Sequence, residues 1–386
     1  MDSLSDFARD KLEALDGRSL RRRPAPTRRL DGLWVERDGR RLLSFSCNDY
    51  LNLSHHPAVK AAAVEAVQTH GAGAGASRLV TGDHPLLAQL EARLARLKGT
   101  EAACLFGSGY LANTGLIPTL VGPGDLILID QLAHACLWAG AKLSGASVEG
   151  FRHNYMGDLR ARLAQRRPHH RRVLVATDGV FSMDGDLAPL GDLSAACLEH
   201  DAWLLSDDAH GIGVLAEGRG SAALFPQATI PLQMGTLSKA IGGYGAYVCA
   251  SQPVVDLLKT RARTLVYSTA PPPACVAAAL AALDIIEAEP ELTARPLHNA
   301  KAFTAALNLA EAQSPIVPVI IGAAEHALAA SRRLEAQGLL VVAIRPPTVP
   351  EGTARLRIAF TAGHSARDVD RLAQAIRPLI ARAVAA

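Results

Sequence analysis

The chain has 386 residues, 49% of them hydrophobic, with 40 basic and 37 acidic side chains for a formal net charge of +3. That is enough apolar material for one large core and a smaller one, and too little charge imbalance to point to nucleic acid or a membrane surface. Six cysteines (Cys47, Cys104, Cys136, Cys197, Cys249 and Cys275) form no C-x-x-C pair, which argues against a zinc knuckle or disulfide frame and suits a reducing cytosol.

Leu4, Phe7, Leu12 and Leu15 recur at helical spacing and predict an amphipathic helix over Asp2–Leu20. This opening segment is too charged for a signal peptide, and no apolar run in the chain reaches the length of a membrane span, so a cytoplasmic protein is expected. A basic arm follows, with Arg18, Arg21, Arg22, Arg23, Arg28 and Arg29. It reads as a solvated face, some of whose arginines are free to meet an anionic substrate; it lacks the interleaved aromatics of a nucleic-acid binder. Gly32–Phe45 alternates like a hairpin with Asp38-Gly39 as its turn. The polar stretch Ser46–Leu51, which includes Asn48, ends that run, and Pro57 opens a helix to about His70. Gly71–Arg78 is too rich in glycine for regular structure and reads as a flexible linker or as backbone closely approaching a ligand. A helix from about Pro85 to Lys98 comes next.

From residue 102 to 250, short apolar runs alternate with helical stretches. Expected strands are Ala103–Phe106, Leu126–Ile129, Ser147–Phe151, Val173–Ala176, Ala202–Leu205, Ile230–Met234 and Ala246–Ala250. Strands this uniformly apolar are covered on both faces, which implies an α/β fold with a mainly parallel, doubly wound, seven-stranded sheet. After Pro271-Pro272-Pro273 an alanine-rich helix runs to about Glu289. Strands Ile316–Ile321, Leu339–Ile344 and Ala354–Phe360 with intervening helices then suggest a smaller C-terminal α/β unit. The expected division is an N-terminal helix and hairpin arm (1–60), a large domain (61–289) and a small one (290–386).

Ligands of such sheets sit beyond the carboxyl ends of the strands, so the polar residues there deserve first attention. Gly107-Ser108-Gly109-Tyr110-Leu111-Ala112-Asn113 opens a helix and is an anion cradle. It also satisfies the dinucleotide pattern G-x-G-x-x-A, with Asp130 about where a ribose-binding acid belongs, so a nicotinamide oxidoreductase is the rival enzyme class. His134 follows the next strand, either as a structural hydrogen bonder or stacked on a planar ring. Thr177–Asp186, containing Ser182, ends another strand in hydroxyls and carboxylates.

Asp207 and His210 lie in Ser206-Asp207-Asp208-Ala209-His210-Gly211. A carboxylate there suits a protonated pyridine nitrogen, and the histidine suits a phenolic oxygen. A metal held by Asp207, Asp208 and His210 is the alternative, but no other pair has ligand spacing, so no metal is expected. Lys239, in Gly235-Thr236-Leu237-Ser238-Lys239-Ala240-Ile241-Gly242-Gly243, reads either as a surface lysine in a glycine-rich loop or as an amine nucleophile, made reactive by burial, that holds pyridoxal 5'-phosphate (PLP).

Asp207, His210 and Lys239, with Thr236-Leu237-Ser238-Lys239, resemble the α-oxoamine synthases, PLP-dependent enzymes of fold type I that join an amino acid to an acyl thioester with loss of CO2. The resemblance runs from Leu20-Arg21-Arg22-Arg23 to about Asp370. Ala343-Ile344-Arg345-Pro346-Pro347-Thr348-Val349-Pro350, followed by Gly352–Arg357, is similar to the branch that uses L-alanine and a pimeloyl thioester, carried on coenzyme A or on acyl carrier protein. The resemblance implies that Lys239 holds the cofactor and shuttles the substrate's Cα proton, and that Asp207 pairs with the pyridinium. His210 and Ser182 would contact the phenolic oxygen, and His134 would stack on the ring. Gly109 and Tyr110 would lie against the cofactor through their backbone, with Thr236 near its phosphate. Ser268 or Thr269 would reach the phosphate of the other subunit of a homodimer. Arg357 would clamp the amino acid's carboxylate, with Asn48 nearby, and Arg21 and Thr348 would meet the acyl substrate.

Overall fold

The computed structural model describes residues 2–384. Its centre is a seven-stranded sheet in the order Ala102–Phe106, Ala246–Ala250, Leu232–Thr236, Trp203–Asp207, Val173–Asp178, Leu126–Asp130 and Ser147–Phe151. Six strands run in one direction; only Ala246–Ala250 is reversed, antiparallel to both of its neighbours. Helices cover both faces and divide the apolar side chains into separate clusters, as a doubly wound sheet requires. The architecture is the expected α/β fold with a mainly parallel, doubly wound, seven-stranded sheet.

Register sets the site. Asp178 is paired with Asp207, and Asp207 with Met234, so three parallel strands finish side by side at one end of the sheet. The strand expected at Ile230–Met234 lies two residues further on, because Pro231 has no N–H to give a ladder. The shift makes Thr236 the last strand residue and brings Lys239 just past the sheet end. Trp203–Asp207 likewise extends beyond its apolar part, so that Asp207 terminates it.

The N-terminal hairpin forms as read: Trp34–Arg37 pairs with Arg40–Ser44 around Asp38 and Gly39, both at positive φ. The segment Leu339–Ile344 is not one strand. Leu339–Leu340 pairs parallel with Leu43–Ser44, whereas Val342–Ile344 pairs antiparallel with Arg355–Arg357 in a three-stranded sheet with Ile316–Gly322. Ser46 bridges the break: its hydroxyl accepts the N–H of Val342 at 2.9 Å and donates to the carbonyl of Leu340 at 3.3 Å. Leu43 and Phe45 of the hairpin are buried with Phe303, Leu356, Phe360 and Ile376 in one cluster, so the hairpin completes the C-terminal core. Each such buried side chain contributes roughly 1.5–3 kcal/mol.

The first helix forms over Ser3–Gly17 but buries no residue, leaving Leu4 and Phe7 exposed. No helix of the described residues is long and apolar enough to cross a membrane.

Candidate active site

A cavity of about 150 Å³ lies beyond the strand ends, lined by Gly109, Tyr110, His134, Cys136, Asp178, Ser182, Asp207, His210, Thr236 and Lys239, among others. Asp207 is 5% exposed. One carboxylate oxygen accepts the N–H of Ala209 at 3.0 Å, and the other accepts Nδ2–H of Asn113 at 2.8 Å. No cationic side chain pairs with it among the described residues. The Cys136 thiol approaches the second oxygen at 3.9 Å; a buried carboxylate held by neutral donors alone, with no counter-charge, is incomplete, and a cation brought by a ligand would complete it.

Its neighbours behave differently. Asp208 turns to the other side of the chain, where it forms a buried ion pair with Lys98 at 2.7 Å and accepts the N–H of Ser221. Asp178 accepts the backbone N–H of His134 at 3.1 Å; burial first, and the charge of Asp207 second, raise its carboxyl well above the ordinary range. The direction of that shift favours the neutral form of Asp178 beside Asp207.

His210 is buried, with Nδ1 2.7 Å from the hydroxyl of Tyr50. Burial, helped by Lys239 and Arg357, pushes its pKa well below the usual histidine value, so the ring is neutral. Lys239 donates from Nζ to the hydroxyl of Thr236 at 3.2 Å. Burial lowers its pKa, against the pull of Asp207, which favours the free amine needed for attack on a carbonyl. The reading as a surface lysine is thereby set aside.

Gly109 begins the helix Gly109–Leu120, which Ser108 caps by accepting the N–H of Leu111 at 3.3 Å. A Cβ at Gly109 would come within 2.8 Å of the Thr236 methyl, so only glycine lets this helix end approach the strand end. Its free N–H groups beside Thr236 suit a phosphate. The orphan carboxylate of Asp207, the helix end and the depressed amine together fit the nitrogen, phosphate and aldehyde of PLP.

Arg357 is 7% exposed and stands on the C-terminal sheet. Its guanidinium donates to Asn48 Oδ1 at 3.0 Å, to the carbonyl of Ser182, and to the Tyr50 hydroxyl at 3.5 Å. It too has no partner of opposite charge among the described residues. A second cavity of about 720 Å³ shares His134 and Ser182 with the first and is walled by Trp138, Thr348, Val349 and Arg22. Arg22 donates to the Thr348 hydroxyl at 2.6 Å. Arg21 does not line this cavity; it pairs with Asp16 at 2.6 Å. Thr269 forms an isolated bridge with Ser77, outside the lining of the Lys239 cavity, and Ser268 precedes it.

Asn113, Cys136, Tyr50 and Asp178 escaped the sequence reading as site residues. Asn113 and Tyr50 lie within segments quoted above, but nothing in their spacing shows that they meet Asp207 and His210. Asp130, the acid of the dinucleotide pattern, is fully buried and engaged by His153 Nδ1 at 3.0 Å and by the N–H of Asn154 at 2.9 Å. It has no freedom to bind a ribose. Among the described residues no group of three or more His, Cys, Asp or Glu side chains is arranged to hold a metal ion.

The family model for aminotransferase class I and II matches residues 40–376. The chain is 68% identical over 346 residues to the 8-amino-7-oxononanoate synthase of Methylocella silvestris, covering 90% of this chain and 99% of that protein. It is 64% identical over 381 residues to the enzyme of the same name from Beijerinckia indica, covering 98% and 99%. Among solved structures it is similar to a serine palmitoyltransferase variant from S. paucimobilis with a bound PLP–myriocin aldimine, at 28% identity, full coverage of both chains and a TM-score of 0.92.

Proposed function

We infer the chemistry from kinship and geometry together: the chain belongs to the aminotransferase class I and II family and, within it, to the PLP-dependent acyltransferases of the 8-amino-7-oxononanoate synthase group. We propose that it condenses L-alanine with a pimeloyl thioester, on coenzyme A or on acyl carrier protein, giving 8-amino-7-oxononanoate, CO2 and the free thiol for biotin synthesis. The observation that carries the reading is a pair of buried, uncompensated opposite charges, Asp207 and Arg357, both acting on Lys239. They suit a cofactor with a cationic ring and a substrate with a carboxylate.

When bound, PLP withdraws electrons from the α-carbon of the amino acid. Lys239 would hold the cofactor's aldehyde carbon and, once the amino acid's amine has displaced it from that carbon, would be the free amine that takes the α-proton and returns it after CO2 has left. Asp207 keeps a proton on the ring nitrogen. His210 and Ser182 would hydrogen-bond the phenolic oxygen, and His134 would lie against the ring. The N–H groups at Gly109 and Tyr110, with the Thr236 hydroxyl, would take the phosphate, joined by Thr269 from the second subunit of a homodimer. Arg357, steadied by Asn48, grips the alanine carboxylate as a planar fork. Thr348 and Arg22, which wall the second cavity, would border the acyl chain's route, whereas Arg21 would have to leave Asp16 to reach it.

Borohydride reduction of the yellow protein followed by peptide mass analysis is expected to find a pyridoxyl group on Lys239, and Lys239→Ala to abolish turnover. Wild-type turnover by that variant would end the assignment. Turnover with glycine or serine in place of alanine would move the chain to another branch of the family.

A further inference from the structure

Cys136 has no part in the chemistry just described, yet it is buried between two groups that flank the cofactor cavity. Its sulfur lies 2.8 Å from Nδ1 of His134 and 3.0 Å from Nδ2 of Asn113. The amide of Asn113 has two protons: one goes to Asp207 at 2.8 Å and the other to this sulfur. With the sulfur accepting from Asn113, its own S–H has two acceptors in reach, His134 Nδ1 at 2.8 Å and the Asp207 carboxylate at 3.9 Å, and the shorter contact is to His134. Nδ1 of His134 also accepts the backbone N–H of Cys136 at 3.3 Å, as the cap of the helix Ala135–Ser144. Two donors therefore converge on Nδ1, and a proton there would oppose both. Nε2 has no protein partner among the described residues, and the ring borders both cavities.

The surrounding charges agree. Burial lowers the pKa of His134, Lys239 adds to that effect, and Asp207 opposes it. Burial, reinforced by Asp207 and Asp178, raises the Cys136 thiol far above its ordinary value, so it remains an S–H donor and not a thiolate that would draw a second proton onto the imidazole.

We propose that Cys136 and Asn113 are positioning residues that lock His134 as the neutral tautomer with its proton on Nε2, so that the ring presents an N–H where the cofactor and acyl cavities meet. Which nitrogen of a histidine carries the proton is set by the hydrogen bond made by the other, and here that bond is made by a chain anchored on Asp207. The inference rests on the reading of His134 as a residue of the cofactor site.

The test is ring-nitrogen NMR of the PLP-loaded protein labelled with 15N-histidine, with His134 assigned from the signal lost in His134→Asn. Wild type and Cys136→Ser, which keeps a donor, are expected to show protonated Nε2 alone. Cys136→Ala is expected to populate protonated Nδ1 and to lose about fivefold in kcat/KM for the acyl thioester, the effect of one hydrogen bond. Asn113→Ala, expected to do the same, serves if that variant does not fold. Protonated Nδ1 in the wild type, or an unaltered tautomer in the folded alanine variant, would overturn the proposal. Visible absorption of the same samples reports PLP loading, so failure of the cofactor reading is seen separately from failure of the tautomer lock.

Discussion

Asp207 and Asp208 are adjacent in sequence and opposite in consequence. The first faces the cavity with its charge uncompensated; the second is spent on Lys98. Asp207→Asn is therefore expected to fold normally and to lose roughly 10²- to 10³-fold in kcat, as when a preorganised electrostatic partner is removed. Asp208→Asn should do the reverse, costing about 3–5 kcal/mol in urea unfolding because Lys98 is left buried and unpaired, with kcat per folded molecule largely kept. Equal kinetic losses would mean that the two carboxylates share the task. The sequence pointed to Asp207, His210 and Lys239, which line one cavity, because each stands at or just past an apolar run, and apolar runs locate strand ends. Asn113, Cys136 and Tyr50 were not legible in this way. Their importance is a matter of which atoms meet across separate elements, and no spacing within one segment encodes that.

At the level of elements, the hairpin is fastened to the C-terminal core by Leu43, Phe45 and His364. The His364 ring stacks on Phe45 with centroids 4.2 Å apart, donates from Nε2 to the Ser44 carbonyl at 3.0 Å, and accepts the Thr361 N–H on Nδ1 at 2.9 Å. Burial lowers its pKa to about 4. A base with a depressed folded pKa stabilises the fold above its unfolded value, near 6.5, and that contribution is lost as pH falls toward 4. The difference amounts to roughly 3 kcal/mol at most. Urea unfolding at pH 7.5 and pH 4.5 is expected to show this loss, and His364→Gln to flatten it; an unchanged pH slope in the variant would place the acid sensitivity elsewhere. Leu43→Ala should cost about 2–5 kcal/mol in the same measurement, a cavity penalty no separate arm would incur. The break inside Leu339–Ile344 was invisible to periodicity, because Leu340, Val341 and Val342 are all apolar while their backbones serve two different sheets. The Leu232–Thr236 shift was in principle readable from Pro231.

For the whole molecule, the mainly parallel sheet follows from uninterrupted apolar runs of strand length, and the fold class was readable on that ground; the antiparallel course of Ala246–Ala250 was not, because an apolar run does not set strand direction. Arg357 was not: it lies on another sheet, far along the chain from Lys239, and only the likeness to a known family singled it out. Thr269 lies outside the cavity of its own subunit, which accords with service to a neighbour's phosphate. Lys239→Ala and Thr269→Ala subunits, co-expressed and isolated as mixed dimers, are expected to recover activity that neither shows well alone, since each mixed dimer has one site with both residues intact. Mixed dimers no more active than the average of the two parents would tie Thr269 to its own subunit.

The hydroxyl of Ser46 joins the carbonyl of Leu340 to the amide of Val342, two residues before Asn48 begins to steady Arg357. The hairpin and the C-terminal sheet are thus riveted beside Asn48 and Arg357, the pair proposed to grasp the substrate's acid end. Any rocking of that body against the seven-stranded platform swings Asn48 and Arg357 as one jaw. Slack introduced at the rivet would be felt as a loosened hold on the amino acid while the ring-binding floor around Asp207 stays as it was.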